Sequence, residues 1–179
     1  MLIRSVRFLI ILFFILSATS NLYSQMISIN LKVLSGGNVS YIFNSLGKYE
    51  SGISYEDWTR FQIYYNDTTE FGGVGTSVGW DLQVRAITSG IVSDGGNPEL
   101  DTETITIRPN ISSCSGCVGS TNVSLTNVFQ TIVIGDGNLS ILEEVSISYD
   151  CGVDPAHKVL NKPPDYYNVD LEFRVFPRY

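Results

Sequence analysis

The sequence predicts an all-β chain, folded as an antiparallel β-sandwich of seven to nine strands. Three observations carry that expectation. Beyond the first two dozen residues, almost every apolar cluster recurs at every second position, the period of a half-buried strand. The clusters are separated by short stretches rich in Gly, Asn and Asp, which tolerate the backbone angles of tight turns. No window repeats at the helical period; the nearest candidate, Tyr55 to Arg60, offers one short turn.

Taken in order, the first run has Ile27, Ile29, Leu31 and Val33 alternating with Ser28, Asn30 and Lys32. Phe61, Ile63 and Tyr65 follow, against Arg60, Gln62 and Tyr64. In "GWDLQVRA", Trp80, Leu82, Val84 and Ala86 share one side. Ile105 and Ile107 stand between threonines, then come Val128, Ile132 and Ile134, and then Val145, Ile147 and Tyr149. The longest alternation closes the chain as a single predicted strand, with Tyr167, Val169, Leu171, Phe173 and Val175 on one face. Turns are expected at Ser35–Asn38, Phe71–Gly73, Asp94–Asn97 and Gly135–Asn138, and Pro163–Pro164 stiffens the approach to the last strand. Strands of this number and spacing predict an immunoglobulin-like sandwich with Greek-key connections. Trp80 is assigned to the core with Leu82 and Val84 rather than to a sugar-stacking platform, because tryptophan brings a large apolar surface.

The first 24 residues read as a secretory signal peptide: Arg4 and Arg7, the nine-residue apolar run Phe8–Leu16, then small residues at Ala18 and Ser20 or at Ser24. The run is too short to span a bilayer, and no later segment could do so as a helix. Residues 25–179 are then one β-sandwich domain, long enough to bury a core without metal or disulfide support. The whole chain carries −7, and removing two arginines leaves −9. Basic residues never cluster, so neither nucleic acid nor an anionic lipid surface is expected as a partner. Export to the cell surface or beyond is the expected location.

Little in the sequence points to catalysis. Cys114-Ser-Gly-Cys117 has the spacing of a redox dithiol, but active dithiols open a helix that lowers the thiol pKa, and no helical pattern follows here. A structural disulfide suits an exported chain better. With Cys151 as the third cysteine, a Cys117–Cys151 bond and a local Cys114–Cys117 ring both stay open. His157 is the only histidine, which leaves no second imidazole for a zinc site and no Gly-x-Ser-x-Gly elbow beside it. Asp94, Glu99, Asp101 and Glu103 flank a Gly-Gly turn but match no calcium loop, and are assigned as solvated carboxylates. Catalytic residues, metal and cofactor are accordingly none. Asn-x-Ser/Thr sequons stand at Asn38, Asn66, Asn110, Asn122 and Asn138.

Four segments, "GWDLQVRA", "NPELDTETITIRP", "EEVSISYDCG" and "KVLNKPPDYYNVDLEFRVF", follow one another in an order that resembles bacterial pilin-like surface domains. The last features are similar to the spore coat U-like subunits of chaperone–usher fimbriae. The resemblance spans about residues 77–176. Trp80, Leu82 and Val84 match the family's core strand, and Tyr167 matches the tyrosine of its closing strand. Asp165 stands where the family has glycine, and the cysteine arrangement differs. The resemblance implies a non-enzymatic building block or adhesin outside a Gram-negative cell, with like subunits, a surface glycan or a surface protein as partner. Ile27, Ile29, Leu31 and Val33 have the pattern of a strand donated to a neighbour. The preferred reading is that they form the first strand of a complete sandwich. A secreted carbohydrate-binding module is the main alternative, with Tyr41, Tyr49, Tyr55, Trp58, Tyr64 and Tyr65 as suppliers of stacking rings; a thiol oxidoreductase using Cys114 and Cys117 is third.

Overall fold

A computed structural model describes residues 27–67, 77–95, 100–137 and 141–179. The expected signal peptide, the Phe71–Gly73 turn, Glu99 and Asn138 lie outside them. The described chain runs β1 (Ile27–Ser35), β2 (Ser40–Phe43), α1 (Leu46–Ser51), β3 (Ile53–Asp67), β4 (Gly79–Ala86), β5 (Gly90–Ser93), β6 (Leu100–Asp101), β7 (Ile105–Asn110), β8 (Val118–Gly119), β9 (Val123–Ser124), β10 (Gln130–Asp136), β11 (Ile141–Cys151), β12 (Asp165–Asn168) and β13 (Leu171–Arg178). It is all-β apart from α1 and two 3-10 turns, and every strand pair is antiparallel.

Three sheets result, in the orders β1-β3-β11-β7-β9, β13-β4-β10-β8 and β2-β12-β5-β6. The inward residues of β3, β11 and β7 face those of β4 and β10 in one apolar cluster, which extends into the third sheet through Tyr41, Phe43, Ile91 and Tyr167. Phe61 of the first sheet meets Phe173 of the second, ring centroids 4.7 Å apart. This sandwich-like packing explains the period of two, since each strand hides one face and wets the other.

Thirteen strands among the described residues exceed the seven to nine expected. The reasons are local. The closing alternation is two strands: Tyr167 pairs in the third sheet with Tyr41 and Ser93, whereas Leu171–Arg178 pairs with β4 in the second. The change of sheet at Val169–Asp170 keeps the inward phase, so the sequence period passes through it unbroken. In β10 the ladder shifts between Thr131 and Val133, which buries Ile132 and Val133 in succession, and Val128 lies exposed ahead of the strand. Three further strands, β6, β8 and β9, have only two residues each.

The nearest helical candidate, Tyr55–Arg60, is a bulge within β3. Ile147 and Tyr149 of β11 pair with Thr59 and Tyr55, so Glu56, Asp57 and Trp58 together oppose Ser148, and Asp57 takes a φ of 46°. Helix α1 lies instead at Leu46–Ser51, six residues ended by Gly52 at φ 78°. Its hold is tertiary: Tyr49 packs on Phe43 at 5.3 Å, and Lys48 Nζ donates to the Ile42 carbonyl at 3.0 Å.

Trp80 is 1% exposed and lies over its cross-strand partner Gly135. A Cβ on Gly135 would stand 2.1 Å from the indole Cε2, so this glycine is the space the ring occupies. Trp80→Ala is expected to cost about 3–5 kcal/mol, as for other buried large aromatics. Gly135→Ala should cost about 1–3 kcal/mol by overpacking. Urea unfolding of both variants checks this; a wild-type midpoint for Gly135→Ala would contradict the packing.

Candidate functional site

The feature that distinguishes this molecule is one long side of the sandwich. Inward residues of interior strands, such as Phe61, Ile63, Leu82 and Val84, are fully buried. On the flanking strands β1 and β13, each at an edge of its sheet among the described residues, Ile27, Ile29, Leu31, Leu171, Phe173 and Val175 are only partly buried. Val33 is 52% exposed. Between the two edges opens a cleft of about 660 Å³ whose apolar wall includes Leu31, Val33, Phe61, Ile87, Leu171 and Phe173. Asn38, Ser40, Asn168 and Asp170 give its rim polar groups.

The rim is held by aromatic and hydroxyl side chains. Trp58 Nε1 donates to the Asn38 carbonyl at 2.8 Å, Thr59 Oγ1 to the Gly36 carbonyl at 2.6 Å, and Tyr55 OH to the Ser40 carbonyl at 2.9 Å. Gly36, at φ 70°, lies against the Trp58 carbonyl, where a Cβ would come within 2.0 Å. Several of the six aromatics expected as stacking rings are engaged within the fold. Tyr41 and Tyr65 are buried, Tyr49 packs on Phe43, and Tyr55 and Trp58 meet as tilted rings with centroids 4.9 Å apart while pinning the loop. Of the six, only Trp58, at 42%, is exposed; Tyr64 is half-buried.

Cys114 and Cys117 stand at disulfide distance in the loop after β7, closing a local ring. The ring is not followed by a helix, and its Ser115 amide donates to Glu143 at 3.0 Å. Cys151 is unbridged and buried at the end of β11, so the Cys117–Cys151 alternative is not formed; burial pushes its thiol pKa up. His157 lies in a 3-10 turn with Nε2 3.9 Å from Glu103. Asp94 accepts from Asn168 at 2.7 Å. Among the described residues no group of three or more His, Cys, Asp and Glu could hold a metal ion.

On the outer face of the first sheet, Arg108 joins Asp150 (2.5 Å from Nε) and Glu56 (2.6 Å from Nη2). Asp57 accepts from Ser146 Oγ at 2.6 Å and from Asn110 Nδ2 at 3.0 Å, so the sequon amide is engaged. The Ser146 bond, followed by that from Asn110, holds the Asp57 carboxyl below the usual range. For Asp150, burial raises the pKa, but the bonds from Arg108 and Ser54 outweigh it and the net shift is downward. These charges satisfy one another.

The sequence reading missed Ile87, Asp170 and the Gly36–Gly37 loop as walls of the cleft. They come from three separate segments and share no periodic signal. Neither a protein-family model nor a curated protein matches the sequence.

Two outcomes are expected. Non-reducing mass spectrometry should find Cys114 linked to Cys117, with Cys151 inert to maleimide until denaturant is added, because a buried neutral thiol is a poor nucleophile. Rapid labelling of Cys151 in the native protein would contradict its burial. Carboxylates with lowered folded pKa add stability above their unfolded value of about 3.9 and lose it as pH falls through the folded value. Asp150→Asn should therefore cost about 1–3 kcal/mol at neutral pH. Its deficit should shrink toward zero near pH 2 in urea titrations; a deficit independent of pH would contradict the charge pairing.

Proposed function

We propose that this chain is an exported surface or extracellular protein of the pilin or adhesin type, acting by binding or assembly rather than by catalysis. The immunoglobulin-like, Greek-key description belongs to the same reading. The observation that carries it is the open side between β1 and β13. Among the described residues two sheet edges there have no further strand partner, and they flank a cleft of about 660 Å³ with apolar walls. An extended, alternating apolar segment is the occupant such a place suits. Its backbone would bond to an edge strand and its side chains would fill the cleft. The pairing of β1 with β3 of its own chain supports β1 as the receiving edge rather than a donated strand.

The edges differ in how they are guarded. Strand β13 carries Glu172, Arg174 and Pro177, which blunt edge pairing, whereas β1 carries only Lys32. Like subunits are therefore expected to meet at β1. Val33→Lys puts a charge on the exposed cleft wall and should change folding stability by no more than about 0.5 kcal/mol. Size-exclusion chromatography with light scattering should show concentration-dependent assembly of the wild type and a monomeric variant with an unchanged melt. A wild type that remains monomeric throughout, or a variant that assembles equally well, would overturn the proposal.

A further inference from the structure

The outer face of the second sheet carries a different arrangement. Along β13, Glu172, Arg174 and Phe176 point away from the core; beside them on β4 stand Arg85, Gln83 and Asp81, their register partners. Phe129, just ahead of β10, completes the group. Arg85 holds Glu172 through Nε at 2.8 Å and Nη2 at 2.6 Å. Asp81 stands 3.6 Å from Arg178. That leaves Arg174, which has no carboxylate partner among the described residues.

Arg174 is nonetheless fixed in place. Its guanidinium carbon lies 3.5 Å from the Phe129 ring centroid and 4.7 Å from that of Phe176, and its Nε donates to Gln83 Oε1 at 2.8 Å. A guanidinium held on aromatic rings, with Nε already used, keeps its terminal nitrogens for a planar anionic acceptor. Little side-chain entropy remains to be lost when a ligand arrives. Phe176 itself is 50% exposed, an apolar ring edge beside the cation.

From this we infer that the Arg174–Phe176 face binds a carboxylated sugar, a uronic acid unit of an acidic polysaccharide. The guanidinium receives the carboxylate, and the exposed phenyl ring packs on the C–H face of the pyranose. An acidic peptide suits the place less well. A Glu or Asp side chain brings its carboxylate on a flexible stem and presents no rigid C–H face to the exposed Phe176 ring. The site lies on the face of β13 opposite to Leu171 and Phe173, which line the β1–β13 cleft, and the inference does not rest on what occupies that cleft.

The test uses the full mature chain with oligogalacturonate as probe, a neutral glucan oligomer and polyglutamate as comparisons, and calorimetry as readout. Oligogalacturonate should bind, the neutral glucan more weakly. Arg174→Lys, which keeps the charge but loses the planar fork, and Phe176→Ala should each weaken binding about tenfold or more. Arg60→Ala, at an arginine paired with Glu144 on the other sheet, should leave it unchanged. Thermal melts separate loss of binding from loss of fold. No binding to oligogalacturonate, equal loss in Arg60→Ala, or polyglutamate binding as tight as the uronate would overturn the inference.

Discussion

The fifteen residues of β3 are the constraint on which the first sheet depends. Strand β3 pairs with β1 on one side and β11 on the other, so its register sets which residues of both neighbours face inward. A slip by one position would turn Phe61, Ile63 and Tyr65 to water and bring Arg60, Gln62 and Tyr64 inside. The bulge at Glu56–Trp58 lets the same strand serve two purposes. Beyond it the ladder with β11 is regular and closes the core; within it, Trp58 turns outward to pin the loop that forms the rim of the cleft.

A sandwich built this way buries its middle and leaves its margins unfinished. Interior strands have a neighbour on each side and a sheet above, which is why their inward side chains reach full burial. Among the described residues, strands β1 and β13 have one neighbour each, and the opposing sheet ends where they end. The partial burial of Leu31, Leu171 and Phe173 follows from position rather than composition. The same side chains on an interior strand would be fully covered.

That distinction marks what could be read in the sequence. Alternation announced the inward faces of β3, β4 and β11, since a period of two is a local property of the chain. It could not announce that Tyr167 and Leu171 belong to different sheets, because a change of partner leaves the inward phase intact. Helix α1 escaped because six residues are too few to display a period, and it rests on the contact of Tyr49 with Phe43. The cleft was invisible for a stronger reason: Val33, Ile87 and Leu171 are brought together only by pairings between distant segments. The Cys114–Cys117 ring was one of two alternatives, decided by Cys151 being drawn into the core with Ile105 and Ile53 as its strand partners.

The pairing pattern also governs the order in which the molecule can form. Phe61 finds its β11 partner at Val145, and Leu82 finds its β13 partner at Val175. Both sheets therefore wait for the last quarter of the chain, and their closure requires ends far apart in sequence to meet. Contacts of that kind make folding slow, because chain entropy is lost before the contacts repay it. A chain emerging from its N-terminus would present β3 and β4 as open edges, with Phe61, Ile63, Trp80, Leu82 and Val84 among their residues, until β11 and β13 arrived to cover them. The interval before closure is when such a chain is most exposed to the wrong neighbour.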